Sequence, residues 1–239
     1  MKISANAILT TKNRLKLPIN GDKRVFVVGD LDADFKALND ALVRVSFDPA
    51  SDLLICLGDV IDRGVDSVRL LEYLQEIGAV IVLGNHEHIM IESILGHDET
   101  AKSLWVQNGG GWHLNESPKL LRSLCQFLLK QPLSVVLEYQ SHKIGLSHTL
   151  PTDWDWNHKQ DDKRHLVASL LWDRDRVKKR KHIQNLGVDF SIHGHNSTQV
   201  PFWIANTYHI DTSYYGRPTL VELSEVIKKY TSLKVKQNQ

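Results

Sequence analysis

The sequence predicts an α/β protein with some parallel strand pairing, because strand-like and helix-like segments alternate along its first half and short strands follow in its second half. The first three apolar runs each end in a glycine followed by a polar residue, a pattern typical of a strand that ends in a turn. The 239 residues, 42% hydrophobic and 24% charged, have an ordinary globular composition. We therefore expect one domain over residues 1–239, with its core between about residues 22 and 225.

The first half contains three predicted strands and the helices between them. The strands are the apolar runs Val25–Val28, Leu53–Leu57 and Ala79–Leu83. Helices are predicted where apolar residues recur three or four positions apart, in Phe35–Val45, in Val65–Ile77 and in the segment that carries Ile89, Met90 and Ile94.

The second half is richer in short strands. Leu133–Tyr139 and Lys143–Ser147 predict a hairpin that turns near residues 140–142. The other predicted strands are Phe190–His193, Phe202–Ile210 and Leu220–Leu223. Long connections cover residues 151–163 and 173–186, and we expect the polar C-terminal residues 234–239 to be frayed.

The charge balance gives no reason to expect binding to nucleic acid or to a membrane surface. Lys and Arg number 29 against 28 Asp and Glu, for a net charge of +1. The N-terminal residues show no secretory signal, and no stretch approaches the ~18 apolar residues of a membrane span. Cys56 and Cys125 form neither a disulfide framework nor a zinc-site pattern. We expect a monomeric cytoplasmic protein.

Potential metal ligands follow five of the predicted strands. Gly29-Asp30, Gly58-Asp59 and Gly84-Asn85 end the first three, and His148 and His193-Gly194-His195 end two later ones. Ligands bind beyond the carboxyl ends of strands in α/β sheets, so we expect these side chains to share one edge. Mixed oxygen and imidazole ligation suits Mn, with Fe, Zn or Mg as alternatives, rather than a cysteine-rich zinc site.

Two longer motifs carry a family resemblance. The segments 58–64 (GDVIDRG) and 84–87 (GNHE) resemble the signatures of the PPP-type, calcineurin-like metallophosphatases. The likeness is strongest to the bacterial and phage serine/threonine phosphatases of the lambda phage type. It extends to the segments 108–112 (NGGGW) and 171–176 (LWDRDR) and to Gly194-His195, and so covers most of the chain. It implies a calcineurin-like fold, a mixed β-sandwich flanked by helices.

The resemblance also implies a role for each matching residue. The metal ligands would be Asp30 for the first of two divalent ions, Asp59 as a bridge to both, and Asn85, His148 and His195 for the second. His86 would be a general acid, Asp62 would orient His86 or an arginine, and Arg63 and Arg174 would bind phosphate oxygens. A hydroxide bridging the two ions would attack the phosphorus atom.

One motif departs from the family. Where the family has Gly-Asp-x-His-Gly, this chain has Gly29-Asp30-Leu31-Asp32-Ala33, so Asp32 replaces a histidine ligand. Asp32 could still coordinate the first ion, the site could be weakened naturally or by an introduced substitution, or Asp34 could face the ion instead. The added negative charge would lower attraction for a phosphomonoester dianion more than for a diester monoanion.

The predicted function is hydrolysis of phosphomonoesters, with phosphoserine or phosphothreonine, and also phosphotyrosine, in proteins as the substrate class. One alternative is a phosphodiesterase or a hydrolase of nucleotides or diadenosine polyphosphates, which Asp32 would favour. Another is a metal-weakened pseudo-phosphatase that binds phosphorylated partners without turnover. The substrate is thus a phosphorylated protein or a small phosphoester.

Four further features have two interpretations each. Arg174 is preferred over Arg176 as the phosphate ligand, with Arg176 expected to be a solvated charge. His195 is assigned as a ligand and His193 left with a smaller chance of a direct role. The basic run 178–181 is expected to be an exposed surface, with contact to an acidic or nucleic-acid substrate as the alternative. Trp154 and Trp156 would either pack their loop down or line the substrate cleft.

Overall fold

The computed structural model describes residues 3–19, 23–157 and 162–237. Within them the strands and helices follow in chain order as β1 (Leu15–Pro18), β2 (Val25–Val28), α1 (Phe35–Arg44), β3 (Leu53–Cys56), α2 (Ser67–Glu76), β4 (Val80–Ile81), α3 (Asn85–Ile94), α4 (Glu99–Gln107), α5 (Pro118–Leu128), β5 (Ser134–Tyr139), β6 (His142–Ser147), α6 (Lys163–Trp172), α7 (Asp175–Lys178), β7 (Phe190–His193), β8 (Phe202–Ile204), β9 (Thr207–His209), β10 (Leu220–Glu222) and α8 (Leu223–Gln237). Short 3-10 helices cover Ile8–Thr10, Gly110–Asn115 and Ser213–Tyr215.

The strands form two mixed sheets. One has the order β1-β5-β6-β7-β9-β8 and the other the order β10-β2-β3-β4. The neighbours β2, β3 and β4 are parallel, as are β6, β7 and β9, whereas β5–β6, β8–β9 and β10–β2 are antiparallel. The predicted mixed β-sandwich flanked by helices is therefore confirmed.

Both faces of β2 and β3 are buried, which explains why these strands are continuous apolar runs. In β2, Val25 and Val27 pack between the sheets against β5, β6 and β7, whereas Phe26 and Val28 face the helices. Helix α8 closes the inter-sheet core with Val226 and Tyr230. This two-sided packing fixes the ends of β2, β3 and β4 relative to the other sheet, where the candidate site lies.

Two sequence-based predictions of elements were wrong. The predicted strand over residues 202–210 is a hairpin of β8 and β9, because Ala205 adopts a left-handed φ of 52° and reverses the chain. Asn206, at this turn, donates from Nδ2 to the carbonyl oxygens of Asn185 and Asp189. Of the C-terminal residues expected to be frayed, 234–237 continue α8, which buries an apolar face earlier in its length, and 238–239 lie outside the described residues.

The described part of the chain contains no helix that is both long enough and apolar enough to cross a membrane.

Candidate metal centre

The carboxyl ends of β2, β3 and β4 meet those of β6 and β7 at one end of the sandwich. Asp30, Asp59 and Asn85 come from the four-stranded sheet, and His148 and His195 come from the six-stranded sheet. All five residues are buried. Their positions follow from strand lengths and short glycine-containing turns, which bring residues from distant parts of the chain to one place.

Asp59, His148 and His195 form a compact group of potential ligands. Each offers one ligand atom, and within the described residues these atoms all lie within 4.8 Å of one another. His148 Nε2 lies 3.4 Å from Asp59 Oδ1, 3.2 Å from Asn85 Oδ1 and 3.0 Å from His195 Nδ1. The other ring nitrogen of His148, Nδ1, donates to the carbonyl oxygen of Leu57 at 2.7 Å. That bond leaves the Nε2 lone pair directed at the carboxylate and amide oxygens.

The donor set suits a divalent metal ion. The Nε2 atom of His195 is buried and has no hydrogen-bond partner among the described residues. A Cβ atom at Gly84 would lie 2.3 Å from Asp59 Oδ1, and one at Gly194 would lie 2.2 Å from Asp30 Oδ1, so only glycine allows these close approaches. Unpartnered imidazole nitrogen and converging oxygens are the ligands that Mn, Fe and Zn accept.

Asp30 lies next to this group without belonging to it. Its Oδ1 accepts a hydrogen bond from the backbone N–H of His195 at 2.9 Å. Burial raises the pKa of Asp30 well above its usual value, and the neighbouring carboxylates of Asp211 and Asp59 raise it further. Adjacent buried carboxylates of this kind require a cation to remain charged together.

Glu87 holds the turn that carries Asp59. Its carboxylate accepts from the backbone N–H groups of Asp59 and Val60 at 2.9 Å each and from Gly84 at 2.8 Å. Asp59 has a left-handed φ of 47°, which these bonds stabilise. The negative charge of Asp59 is retained, because His148 and His86 together outweigh burial and hold its pKa well below the usual range.

His86 lies between two charged partners. Its Nδ1 is 2.6 Å from Asp62 Oδ2, and its Nε2 is 2.7 Å from Arg63 Nη2 and 3.9 Å from Asp59 Oδ2. Burial lowers the pKa of His86, but Asp59 and the bond to Asp62 outweigh it, so the net shift is upward. Asp62 was predicted to orient either His86 or an arginine, and in the structure it contacts His86.

Two tryptophans also bind Asp62, and the sequence analysis did not assign them this contact. Trp105 Nε1 donates to Asp62 Oδ1 at 2.9 Å, and Trp112 Nε1 donates to the same oxygen at 2.7 Å. The NGGGW motif was the sequence signal that could have indicated the role of Trp112. The contact of Trp105 with Asp62 depends on the packing of α4 and has no such signal. The buried Asp62 carboxylate is thereby fully hydrogen-bonded.

Arg63 and Asp32 form an ion pair at the mouth of the site. Arg63 Nη1 contacts Asp32 Oδ1, and the Arg63 side chain is 44% exposed while that of Asp32 is 18% exposed. Asp32 also accepts a hydrogen bond from the side chain of Ser213. The alternative that Asp34 faces the ion in place of Asp32 was wrong, because the Asp34 carboxylate caps α1 by accepting from Ala37 N at 2.8 Å.

The two candidate arginines after α6 have different environments. Arg174 is exposed, and its Nη1 donates to the carbonyl oxygen of His195 at 3.0 Å. Arg176 was expected to be a solvated charge, and this was wrong, because it is 1% exposed. Its guanidinium donates to the carbonyl of Ile183 at 2.8 Å and to Asn185 Oδ1 at 2.7 Å, and it also contacts Thr152.

The remaining candidates lie away from the metal ligands. His193 Nε2 is 2.7 Å from Ser191 Oγ and its Nδ1 is 3.1 Å from Ser147 Oγ, so the ring is held inside the six-stranded sheet. Trp154 and Trp156 are buried and pack edge to face, with ring centroids 6.2 Å apart. They pack their loop down, which was one of the two interpretations.

Comparisons with known proteins agree with this geometry. The sequence profile of the calcineurin-like phosphoesterase family matches residues 23–199. Serine/threonine-protein phosphatase 1 of Salmonella typhimurium is 32% identical over 209 residues, covering 84% of this chain and 92% of that protein. A symmetrical bis(5'-nucleosyl)-tetraphosphatase of a Shewanella species is 34% identical over 134 residues, covering 54% of this chain and 45% of that protein.

A solved structure shows the same fold. A candidate diadenosine tetraphosphatase superposes with a TM-score of 0.63 at 20% identity, over 87% of this chain and 93% of that chain. At this identity the likeness is evidence for fold rather than for substrate.

Proposed function

The chain belongs to the calcineurin-like phosphoesterase family, and on that premise we propose that it hydrolyses phosphoserine and phosphothreonine in proteins, with phosphotyrosine as a further substrate. The single observation that best supports this is the position of His86, between Asp62 and Arg63 and beside the Asp59 group. A histidine in this position can donate a proton to the leaving group while an arginine binds the phosphoryl oxygens.

The proposed metal sites use the buried ligands at the strand ends. Asp59, Asn85, His148 and His195 would hold one divalent ion, and Asp30 with the shared Asp59 would contribute to a second. We propose Mn²⁺ as the ion, because the ligands are oxygens and imidazoles without thiolates. Whether Asp32 is also a ligand stays a prediction. When bound, the ions would acidify the attacking water and offset phosphoryl charge.

The chain's own residues would handle the proton and the phosphate. Asp62 accepts from His86 Nδ1 and fixes the ring, so Nε2 faces the substrate. Arg63 Nη2 donates a hydrogen bond to that Nε2. Nε2 accepts this bond through its lone pair and therefore carries no proton in this arrangement. Arg63 must therefore turn towards the phosphate before His86 can carry a proton at Nε2 for the leaving oxygen. Arg174, at the carbonyl of His195, is placed to add a second guanidinium.

The experiment compares two leaving groups with Mn²⁺ present. A serine alkoxide needs a proton, whereas p-nitrophenolate leaves readily without one. We expect His86→Asn to lower kcat on a phosphoserine peptide by about 10²-fold or more and on p-nitrophenyl phosphate by much less. Asp59→Asn should abolish turnover of both.

His97→Asn is the matched control, since His97 is exposed and Asn tolerates its left-handed φ of 51°. Equal losses on both substrates in His86→Asn would contradict the general-acid role. If the folded wild-type protein turned over no ester with Mn²⁺, Fe²⁺ or Zn²⁺, the proposed activity would be wrong and a phosphate-binding protein without turnover would be favoured.

A second candidate is hydrolysis of phosphodiesters or dinucleoside polyphosphates. The ion pair between Arg63 and Asp32 favours it, because a neutralised guanidinium attracts a phosphomonoester dianion less. The similarity to a symmetrical tetraphosphatase covers 54% of the chain and adds support. Faster turnover of bis-p-nitrophenyl phosphate or diadenosine tetraphosphate than of phosphopeptides would select this function instead.

A further inference from the structure

A basic cleft of about 860 Å³ lies on the outer face of the six-stranded sheet. Among the described residues that line it, the charged ones are Lys12, Arg14, Lys16, Lys143 and Glu138. Four cations against one anion is a marked local imbalance in a chain whose net charge is only +1. A surface of this kind attracts acidic ligands.

Strand β1 and the residues before it build the cationic wall. Lys12, Arg14 and Lys16 all line the cleft, Lys16 from β1 and the other two from the residues before that strand. In β1, Leu15 and Leu17 alternate with Lys16 and pack against the core between the sheets. Lys16 therefore lies on the outer face of β1, and Lys12 and Arg14 extend the positive charge beyond the start of that strand.

Two buried N–H donors in the cleft have no acceptor within the described parts of the chain. Arg14 lies over the ring of Trp156 and donates from Nη1 to its carbonyl oxygen at 2.6 Å, but the Nε of Arg14 has no partner. Trp156 is 1% exposed, lies against Gly145 of β6 and also has an unpartnered Nε1. Unsatisfied buried donors are costly, and a bound acceptor that reached them after a shift of these side chains would lower that cost.

The cleft is bounded by a free sheet edge. Strand β1 is the first strand in the order of its sheet and pairs only with β5 among the described strands. An edge strand offers backbone donors and acceptors that an extended peptide can pair with. Charge and edge together select an extended acidic peptide rather than a compact anion.

Nearby anions reduce the positive charge without cancelling it. Glu138 lies opposite Lys143 in the β5–β6 register, and Asp155 interacts with Arg14. Lys143 is the second residue of β6, and His148 follows the last residue of that strand. At about 3.3 Å per residue the two are about 16 Å apart. Ser134, at the other end of the cleft, pairs with Ser147, which directly precedes His148. The cleft therefore runs along the sheet from near the metal centre to the far end of β6.

We propose that this cleft is a docking site for an acidic, extended segment of a phosphorylated protein substrate. The identity of the partner as a substrate rests on the proposed function, but its acidic and extended character rests on the cleft alone. A segment docked at Lys143 must be joined to the phosphorylated residue by about five extended residues to reach the metal centre, and a segment docked at the Ser134 end by fewer.

Direct binding tests the cleft independently of catalysis. The probe is a fluorescein-labelled peptide of alternating Glu and Thr, titrated with the full chain and followed by anisotropy. We expect the Lys12→Gln, Lys16→Gln, Lys143→Gln triple variant to weaken binding by about tenfold, because three cations facing the peptide are lost. Arg14 is left intact, since it also contacts the Trp156 carbonyl.

The matched control removes three charges from the other basic run, with Lys178→Gln, Lys179→Gln and Lys181→Gln. These side chains are exposed, and the control variant should bind within about twofold of wild type. Equal loss in both triple variants, or no binding to the wild-type chain, would overturn the proposal. A single-stranded oligonucleotide that competed as well as the acidic peptide at equal charge would overturn it too, because the surface would then bind polyanions without regard to their class.

Kinetics connect the cleft to turnover. A phosphoserine peptide with an acidic segment eight to ten residues away should have a KM about tenfold lower than the same peptide with Gln in place of each Glu of that segment. The lysine triple variant should lose that difference while its turnover of p-nitrophenyl phosphate stays unchanged. Absence of all turnover would refute the proposed function, whereas normal turnover with equal KM values for the acidic peptide and its Gln counterpart would refute the docking of substrate.

Discussion

The carboxylate of Asp32 and a bound phosphoryl group would compete for the same guanidinium. Asp32 Oδ1 occupies Arg63 Nη1, and His86 occupies Nη2, so both arms of the fork already have partners. Asp32 and Ala33 also have left-handed φ angles of 47° and 55°. A tight turn at this position explains why the related motif carries glycine, and it fixes Asp32 where it meets Arg63.

Neutralising Asp32 should therefore free Arg63 for substrate. In Asp32→Asn we expect KM for p-nitrophenyl phosphate to fall by about fivefold to tenfold, since one negative charge beside the phosphate is removed. Bis-p-nitrophenyl phosphate carries less charge, so its KM should change by less. Steady-state kinetics with both esters give the monoester-to-diester ratio, and inhibition by inorganic phosphate should strengthen in parallel.

Asp66→Asn provides the control for this charge change. Asp66 precedes α2, close in sequence to Arg63, and its side chain makes no capping hydrogen bond. In Asp66→Asn the monoester-to-diester ratio should stay at the wild-type value. If the ratio also stayed constant in Asp32→Asn, the ion pair would have no influence on substrate choice. Asp32→His restores the family's ligand, and metal analysis should then detect more tightly held metal than in the wild-type chain.

At the scale of elements, α7 and the long connections around it depend on one buried guanidinium. Arg176 binds carbonyl oxygens in two connections, those of Thr152 and Ile183, together with Asn185 Oδ1. Burial lowers its pKa to about 10, which still leaves it charged at neutral pH. These segments contain little regular structure, so side-chain bonds to carbonyls replace backbone ladders.

The same substitution at Arg176 and Arg174 should separate stability from activity. Arg176→Met should lower the free energy of unfolding by about 3 kcal/mol, because buried carbonyls lose their donors. Arg174→Met should change it by less than about 0.5 kcal/mol but reduce kcat/KM for phosphopeptides. Urea denaturation measures the stability of both variants, and steady-state kinetics measure their activity. The reverse pattern would assign the phosphate contact to Arg176.

Sequence periodicity predicted those elements whose pattern is local. The runs that became β2 and β3 have continuous apolar residues because both faces of those strands are buried. Strand β1 was missed because its KNRLKLP segment alternates charges with leucines beside a proline, which also suits a loop. Helices α5 and α6 were missed as well, although Ser117 and Asp162 cap them by accepting backbone N–H bonds.

For the whole molecule, the packing of two sheets decides what sequence alone could not. The motifs predicted which residues are candidates, but the distances among Asp59, His148 and His195 depend on how the sheets are stacked. The pairing of Asp32 with Arg63 likewise follows from two turns that are 31 residues apart. The burial of Arg176 depends on the path of irregular segments, for which no periodic signal exists.

The six-stranded sheet buries a histidine whose titration should affect the stability of the entire fold. His209 Nε2 is 3.0 Å from Thr207 Oγ1, and because that hydroxyl donates to the Ile204 carbonyl it accepts from the ring. The Nδ1 atom is buried, with no partner in the described residues. Burial, together with the cations Arg176 and Arg180, lowers the pKa of His209 to about 3.

This shift predicts a loss of stability in mild acid. The unfolded chain binds a proton at His209 below pH ~6.5, while the folded chain does so only near pH 3, so the free energy of unfolding falls as pH drops through that window. Between pH 7.5 and 5.5 this one residue should contribute about 1.4 kcal/mol of the decrease.

His209→Phe removes the titrating group and retains a ring that can pack near-parallel to Phe202, whose centroid lies 5.2 Å from that of His209. Urea unfolding at the two pH values should therefore show a decrease that is smaller than in the wild-type chain by about 1.4 kcal/mol, whatever the substitution does to stability at pH 7.5. His193 faces His209 at 5.5 Å between ring centroids and remains in both proteins, so its contribution largely cancels in the comparison. The exposed His182 changed to Phe should keep the full wild-type decrease. An unchanged pH dependence in His209→Phe would mean that the buried ring takes up its proton as readily in the folded protein as in the unfolded chain.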